Sequence, residues 1–287
     1  MSFVRDNQMS AANQPKARPW DLWFRQTLAV TKFEARKSFA GRRWVGALLL
    51  AGGPVFLLGV RVLLGDSESE DVGTLGIIFA SIFQSYILRL AIFFGCVGVF
   101  TQMFRGEVLE KTLHFYLLAP VRREVIMTGK YLGGLLNVSV LFVLSTVASY
   151  ILMFVPSGSR VMETQFVTGP GIEYALTYGA IAFLACSGYG AVFLLMGILF
   201  RNPIVPAVLI LGWESMNIFL PAALQKISVI HYLQSLSPVP LPFGPLAVIT
   251  EPTSPWVSVP GMLLMTLLVL GAAAMKMRRA EVSYAAD

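Results

Sequence analysis

Residues 131–159 read YLGGLLNVSVLFVLSTVASYILMFVPSGS, a stretch without a single charge. A helix needs about 20 consecutive apolar residues to cross the roughly 30 Å hydrocarbon core of a bilayer, and this run exceeds that. It is not alone: Trp44–Val60, Tyr174–Phe200 and Pro252–Met275 are equally free of charge. The whole chain follows suit, with 56% hydrophobic and 13% charged residues and a mean hydropathy of +0.69. A soluble globular chain carries about 25% charged residues, so too little polar surface is present to cover a water-soluble body. The expected fold class is all-α integral membrane, with six transmembrane helices. They are placed at Trp44–Leu64, about Gln84–Phe104, Tyr131–Val155, Tyr174–Phe200, Pro203–Leu224 and Trp256–Met275.

Around this six-helix domain, residues 44–275, lie a polar and basic segment (1–43) and a short tail (276–287). The first 43 residues contain no short apolar stretch with a small-residue cleavage site, so the first span is expected to double as the targeting signal. From Trp20 to about Phe39, apolar residues recur at helical spacing (Trp20, Trp23, Phe24, Leu28, Val30, Phe33), with Arg25, Lys32, Arg36 and Lys37 between them. This predicts an amphipathic interfacial helix, its basic residues turned to anionic headgroups; a plain helix packed on a partner is the other reading. Of the 22 lysines and arginines, eighteen fall in residues 1–43, 105–130, 201 and 276–279; four (Arg61, Arg89, Arg160, Lys226) fall elsewhere. The positive-inside rule puts the eighteen in the cytoplasm, giving an N-in/C-in topology with the acidic Asp66–Asp71 loop outside. The net charge of +6 is then a topology signal, and no nucleic-acid partner is needed to explain it. Arg61 and Arg89 are expected near the outward ends of their spans, snorkelling to the interface.

The outer loop at about 225–255 is apolar and rich in proline, and irregular backbone of that kind cannot face lipid. Short re-entrant or interfacial helices are expected there. Cys96 and Cys186 fall in apolar runs and read as small buried hydrophobes.

Catalytic patterns are scarce, and no catalytic or metal-binding residue is assigned. The two histidines, His114 and His231, lie on opposite sides of the membrane in this topology, which excludes a two-histidine zinc protease. Ser187-Gly188-Tyr189-Gly190 has no histidine at its depth and reads as a close-packing helix face. No phosphate loop occurs: Gly129-Lys130 is followed by Tyr131, and Glu124 stands where the first glycine belongs.

The loop Arg105–Lys130, RGEVLEKTLHFYLLAPVRREVIMTGK, is the informative one. Glu107, Glu110 and Lys111 precede Leu113, Phe115, Leu117 and Leu118; Pro120 stops that helix, and a basic one from Arg122 and Arg123 leads into the third span. A short amphipathic helix held at both ends by membrane helices can pass a push from a cytosolic partner. Any long loop can hold such a helix for structural reasons, and the residues alone leave the two readings level.

The run Glu107…Lys111-Thr112-Leu113…Leu117-Leu118-Ala119-Pro120-Val121-Arg122-Arg123…Gly129-Lys130 resembles the signature of type-2 permease subunits of ATP-binding-cassette transporters. The basic entry helix, six spans and apolar loop before the last span are similar too, so the resemblance covers nearly the whole chain; Lys111 stands where many members have glycine. The resemblance implies that residues 107–123 form a coupling helix between spans two and three, seated on a separate soluble ATPase subunit. It implies no cofactor in this chain, with ATP and Mg bound by that partner. It also implies a second permease copy, as homodimer or sister heterodimer, and a place in a bacterial cytoplasmic (inner) membrane among its lipids.

One carboxyl stands out, Glu214 in Leu211-Gly212-Trp213-Glu214-Ser215-Met216-Asn217. It lies about 11 residues, or roughly 16 Å, inside the fifth span. A charge at that depth costs about 2.5–3.5 kcal/mol on insertion scales unless paired or protonated, so it should face protein or a wet cavity. Glu214, with Trp213 and Asn217, is read as lining a translocation path or subunit interface. A structural hydrogen bond to Asn137 or Ser139 weighs as much. The expected function is the membrane half of an ATP-driven transporter, an exporter, and not itself an enzyme. The alternative is a secondary transporter or channel without an ATPase; scarce buried ionisable groups and the lack of repeated halves weigh against it.

Overall fold

A computed structural model describes residues 19–39, 42–64, 71–109, 121–200, 202, 204–216, 224, 228–239, 241 and 254–278. Every regular element among them is helical. In chain order they are α1 (Pro19–Phe39), α2 (Arg42–Leu64), α3 (Val72–Ile82), a π-helical stretch (Phe83–Ile92) and α4 (Phe93–Leu109). Then come α5 (Arg123–Phe154), the short α6 (Ser159–Glu163), α7 (Gly171–Leu199), α8 (Ile204–Met216), α9 (Val229–Ser235) and α10 (Pro255–Arg278). Five stretches are long and apolar enough to cross a membrane: Trp44–Leu64, Val72–Phe104, Arg123–Ser157, Gly171–Leu199 and Pro255–Arg278. The chain is thus all-helical over its described residues and compatible with a multi-pass membrane protein.

Three expected spans differ in extent. The second begins at Val72, not near Gln84, because Asp71 starts the helix: its carboxylate accepts from the Gly73 amide at 3.2 Å. The helix then runs on through the π-helical stretch. Arg89 therefore sits near the middle of Val72–Phe104 instead of at its outer end, where snorkelling was expected. The third begins at Arg123, about two turns before the uncharged run. The fifth appears only as the 13 residues of α8, about 20 Å of helix and short of a bilayer core. Residues 217–223 of that expected span lie outside the described residues.

Helix α7 occupies the middle, against α4, α5 and α10. Apolar burial drives little association in lipid, so close backbone approach and interlocking side chains hold such bundles. Both are visible. A Cβ on Gly188 would meet Met262 at 2.0 Å, and one on Gly190 would meet Phe100 at 2.7 Å, so the Ser187–Gly190 quartet is a packing face. Tyr178 stands edge-on to Phe79 and Phe83, with ring centroids 5.0 and 4.7 Å apart, and Phe93 does the same with Phe193 at 5.0 Å. The free thiols Cys96 and Cys186 are buried side by side, Cys96 donating to the Cys186 carbonyl at 3.9 Å.

Helix α1 runs parallel to the first four turns of α5. Thr27 and Val30 meet Gly129, and Thr31 and Glu34 meet Gly133; a Cβ on Gly133 would come within 2.9 Å of the Thr31 carbonyl. The contact face is therefore small and polar. Trp20, Phe24, Leu28 and Phe33 stay exposed.

Candidate functional site

Two places in the bundle gather buried charge. The first joins α1, α5 and α10 at the end where α5 begins. Lys130 and Glu34 form an ion pair with side chains 0% and 5% exposed. The Lys130 ammonium also stands 5.6 Å from the centre of the Phe104 ring. One turn and more below, the Arg122 guanidinium lies 4.1 Å over the Trp23 ring. Arg123 donates to the Arg278 carbonyl at 3.2 Å, in the last turn of α10, and Arg278 pairs with Glu124. A cation on the terminal carbonyls of a helix is favourable, so α10 ends on α5 for an electrostatic reason. The start of α5, which takes up residues 123–130 of the expected 105–130 loop, is thereby tied to two other helices.

Of the residues expected to dock a partner, Arg122 and Arg123 are thus placed in this joint. Glu107 lies on the last turns of α4, while Glu110, Lys111, Thr112, Leu113, Phe115, Leu117, Leu118 and Pro120 fall outside the described residues.

The second place is halfway along the bundle. Glu214 is buried, and its carboxylate accepts three hydrogen bonds: from Ser228 Oγ at 2.6 Å, the Val229 amide at 3.1 Å and the Ile230 amide at 3.0 Å. Those amides open α9, and no side chain of α9's own N-cap residue satisfies them, so Glu214 does the capping from α8. Helix α9 buries Val229, Ile230, His231, Leu233 and Gln234, and Val229 reaches Gly188 of α7, so a short helix of the proline-rich loop packs against the bundle. The expected partners Asn137 and Ser139 are not used. Asn137 donates to the Ala35 carbonyl at 2.8 Å and Ser139 to the Leu136 carbonyl at 3.2 Å. Trp213 does not join Glu214 either: it is 38% exposed, on another side of α8, and Asn217 lies outside the described residues.

Arg89 and Tyr189 are close enough to Glu214 for electrostatic interaction. Buried ionisable groups are thus less scarce than the sequence led us to expect: Glu34, Lys130 and Tyr189 are buried as Glu214 is, and Arg89 is half-buried. Arg89 Nε and Nη2 are buried without a hydrogen-bond partner among the described residues, as are Gln84 Oε1, Tyr178 Oη and Gln234 Nε2. Nε and Nη2 form one edge of the guanidinium fork, the edge that holds an oxyanion by two bonds. Its donors are idle here, while the three hydrogen bonds that Glu214 accepts come from Ser228 and two α9 amides. Among the described residues no three histidine, cysteine, aspartate or glutamate side chains come together to hold a metal.

The sequence signals for Ser228 and Arg89 were present but ambiguous. Ser228 precedes an apolar segment as an N-cap would, and Arg89 interrupts one long apolar stretch. The Glu34–Lys130 pair gave none, since its partners are 96 positions apart. No family model matches this chain, and no curated protein matches it.

Proposed function

We propose that this chain is the membrane-spanning permease subunit of an ATP-driven exporter, energised by a separate soluble ATPase that docks on the 105–130 loop. The observation that carries this reading is the joint beneath that loop. The chain leaving the loop is fixed at once to α1 through Trp23 and Glu34 and to α10 through Arg278. A push on the loop would turn three helices as one body, which is what mechanical coupling from a partner requires. The sequence pattern from Glu107 to Lys130 supports the same reading. In this proposal α8 belongs to the fifth of six spans, both chain ends and the loop are cytoplasmic, and the membrane is a bacterial inner membrane. A second copy covers α8, which packs mainly on α7 and exposes Ile204, Val205, Val208, Leu209 and Met216. ATP and Mg are bound by the partner.

A second reading, a secondary transporter or channel without an ATPase, draws on the Arg89–Glu214 couple, since ionisable groups at mid-depth mark ion and substrate routes. The test is co-purification of the full chain from its native cells with a soluble phosphate-loop ATPase. Wild type should retain it, and Leu117→Asp with Leu118→Asp should lose it while remaining folded. Full retention by the double variant overturns docking on the loop; transport by the chain alone favours the second reading.

A further inference from the structure

A groove of about 410 Å³ runs between α1 and α5, lined by Leu28, Lys32, Ala35 and Arg36 of α1 and by Leu136 and Asn137 of α5. That volume is in the range of small-ligand clefts, about 300–1,000 Å³. Its wall is apolar, with the stems of Lys32 and Arg36 contributing methylenes and their charged heads exposed. Neither cation has an ion pair among the described residues. This sets them apart from Lys130, which is spent on Glu34. Asn137 is 1% exposed; its Nδ2 donates to Ala35, but its Oδ1 has no hydrogen-bond partner among the described residues.

Depth decides what reaches such a groove. This step rests on the multi-pass orientation proposed above and not on the ATPase. Counted inward from the end of α5 at Phe154, a 30 Å hydrocarbon core uses about 20 residues and ends near Leu135. Leu136, Asn137 and the Arg36 level of α1 therefore stand at the inner boundary of the core, where phosphates and glycerols reside.

We propose that this groove binds an anionic phospholipid of the inner leaflet. Its phosphate pairs with Lys32 and Arg36 at the rim, and its apolar part covers Leu28, Ala35 and Leu136. Two basic side chains near an anionic surface supply the charge term, and the groove supplies selectivity for a lipid over a free anion. The occupant would hold α1 against α5 beside the Glu34–Lys130 pair.

The test uses the full chain in nanodiscs of equal phosphatidylglycerol and phosphatidylcholine, with lipid adducts counted by native mass spectrometry. Wild type should retain phosphatidylglycerol selectively. Lys32→Gln with Arg36→Gln should weaken that retention roughly tenfold or more. Leu136→Trp, which fills the groove and leaves the cations alone, should lose it too. Arg25→Gln with Lys276→Gln, removing two charges elsewhere at the same end, should behave as wild type. Equal loss in that control would reduce the effect to general charge and overturn the site. So would equal retention of phosphatidylcholine, retention by Leu136→Trp, or displacement of the lipid by glycerol phosphate as readily as by phosphatidylglycerol. No ATPase enters the measurement, so its failure and the failure of the permease reading are separate results.

Discussion

The joint at Lys130 and the cluster at Glu214 both bury charge inside an apolar bundle, and they resolve it in opposite ways. At the joint, one cation meets one carboxylate and the pair is closed. At mid-bundle, the carboxylate is saturated by Ser228 and two amides of α9, and the neighbouring Arg89 keeps an idle edge. Breaking a closed buried pair leaves a bare charge. Removing a cation that interacts with its carboxylate only through space, with no hydrogen bond at Nε or Nη2, costs less. The first arrangement suits a fixed mechanical connection; the second suits a place where water, a ligand or a second arrangement of the helices is accommodated.

The largest expected effect lies at the joint. Lys130→Ala strands Glu34 and should cost about 3–5 kcal/mol, seen as loss of folded protein by fluorescence-detected size exclusion. Lys130→Met with Glu34→Leu should recover most of it. If Lys130→Ala is as stable as wild type, the joint is no joint and the contrast collapses.

Glu214 gives an intermediate effect. Glu214→Ala leaves a hydroxyl and two amides without an acceptor and should cost about 2 kcal/mol or more in thermal unfolding. Glu214→Gln keeps shape but turns one acceptor into a donor that faces donors, so about 1 kcal/mol should be lost. From the sequence, Gln looks conservative for a structural role; the three donors make it a partial loss. Equal stability of all three proteins would show that α9 is not held by this carboxylate.

Arg89 gives the smallest. Arg89→Met should change stability by less than about 1 kcal/mol, because the lost attraction to Glu214 is offset by relief of the desolvation of a half-buried cation with no hydrogen bond at Nε or Nη2. A loss as large as that at Lys130 would mean that Arg89 is paired after all.

The contrast also explains what was legible in the sequence. Uncharged runs such as 131–159 mark spans because lipid imposes length and apolarity on every residue of a crossing. That the proline-rich loop would hold a short helix packed on protein was legible for the same reason. The start of the second span was not, because Arg89 breaks the apolar run and invites a boundary there; only its position among α7, α8 and α9 shows it as an interior residue. Glu214 was recognisable as buried, yet its partners were not, because Ser228 and the α9 amides become neighbours only when the loop turns back into the bundle. Glu34 reads as one charge among several on α1. Its burial depends on Gly129 and Gly133 letting α1 approach α5 closely.

The central claim, that a soluble ATPase drives these helices by seating on the 105–130 loop, is tested most directly by a photo-crosslinking residue at position 117 in cells. The account predicts a covalent adduct between position 117 and a soluble phosphate-loop ATPase, and none when the same probe stands at position 68. A probe at 117 that captures no ATPase, in cells where the wild-type chain co-purifies with it, would contradict the account.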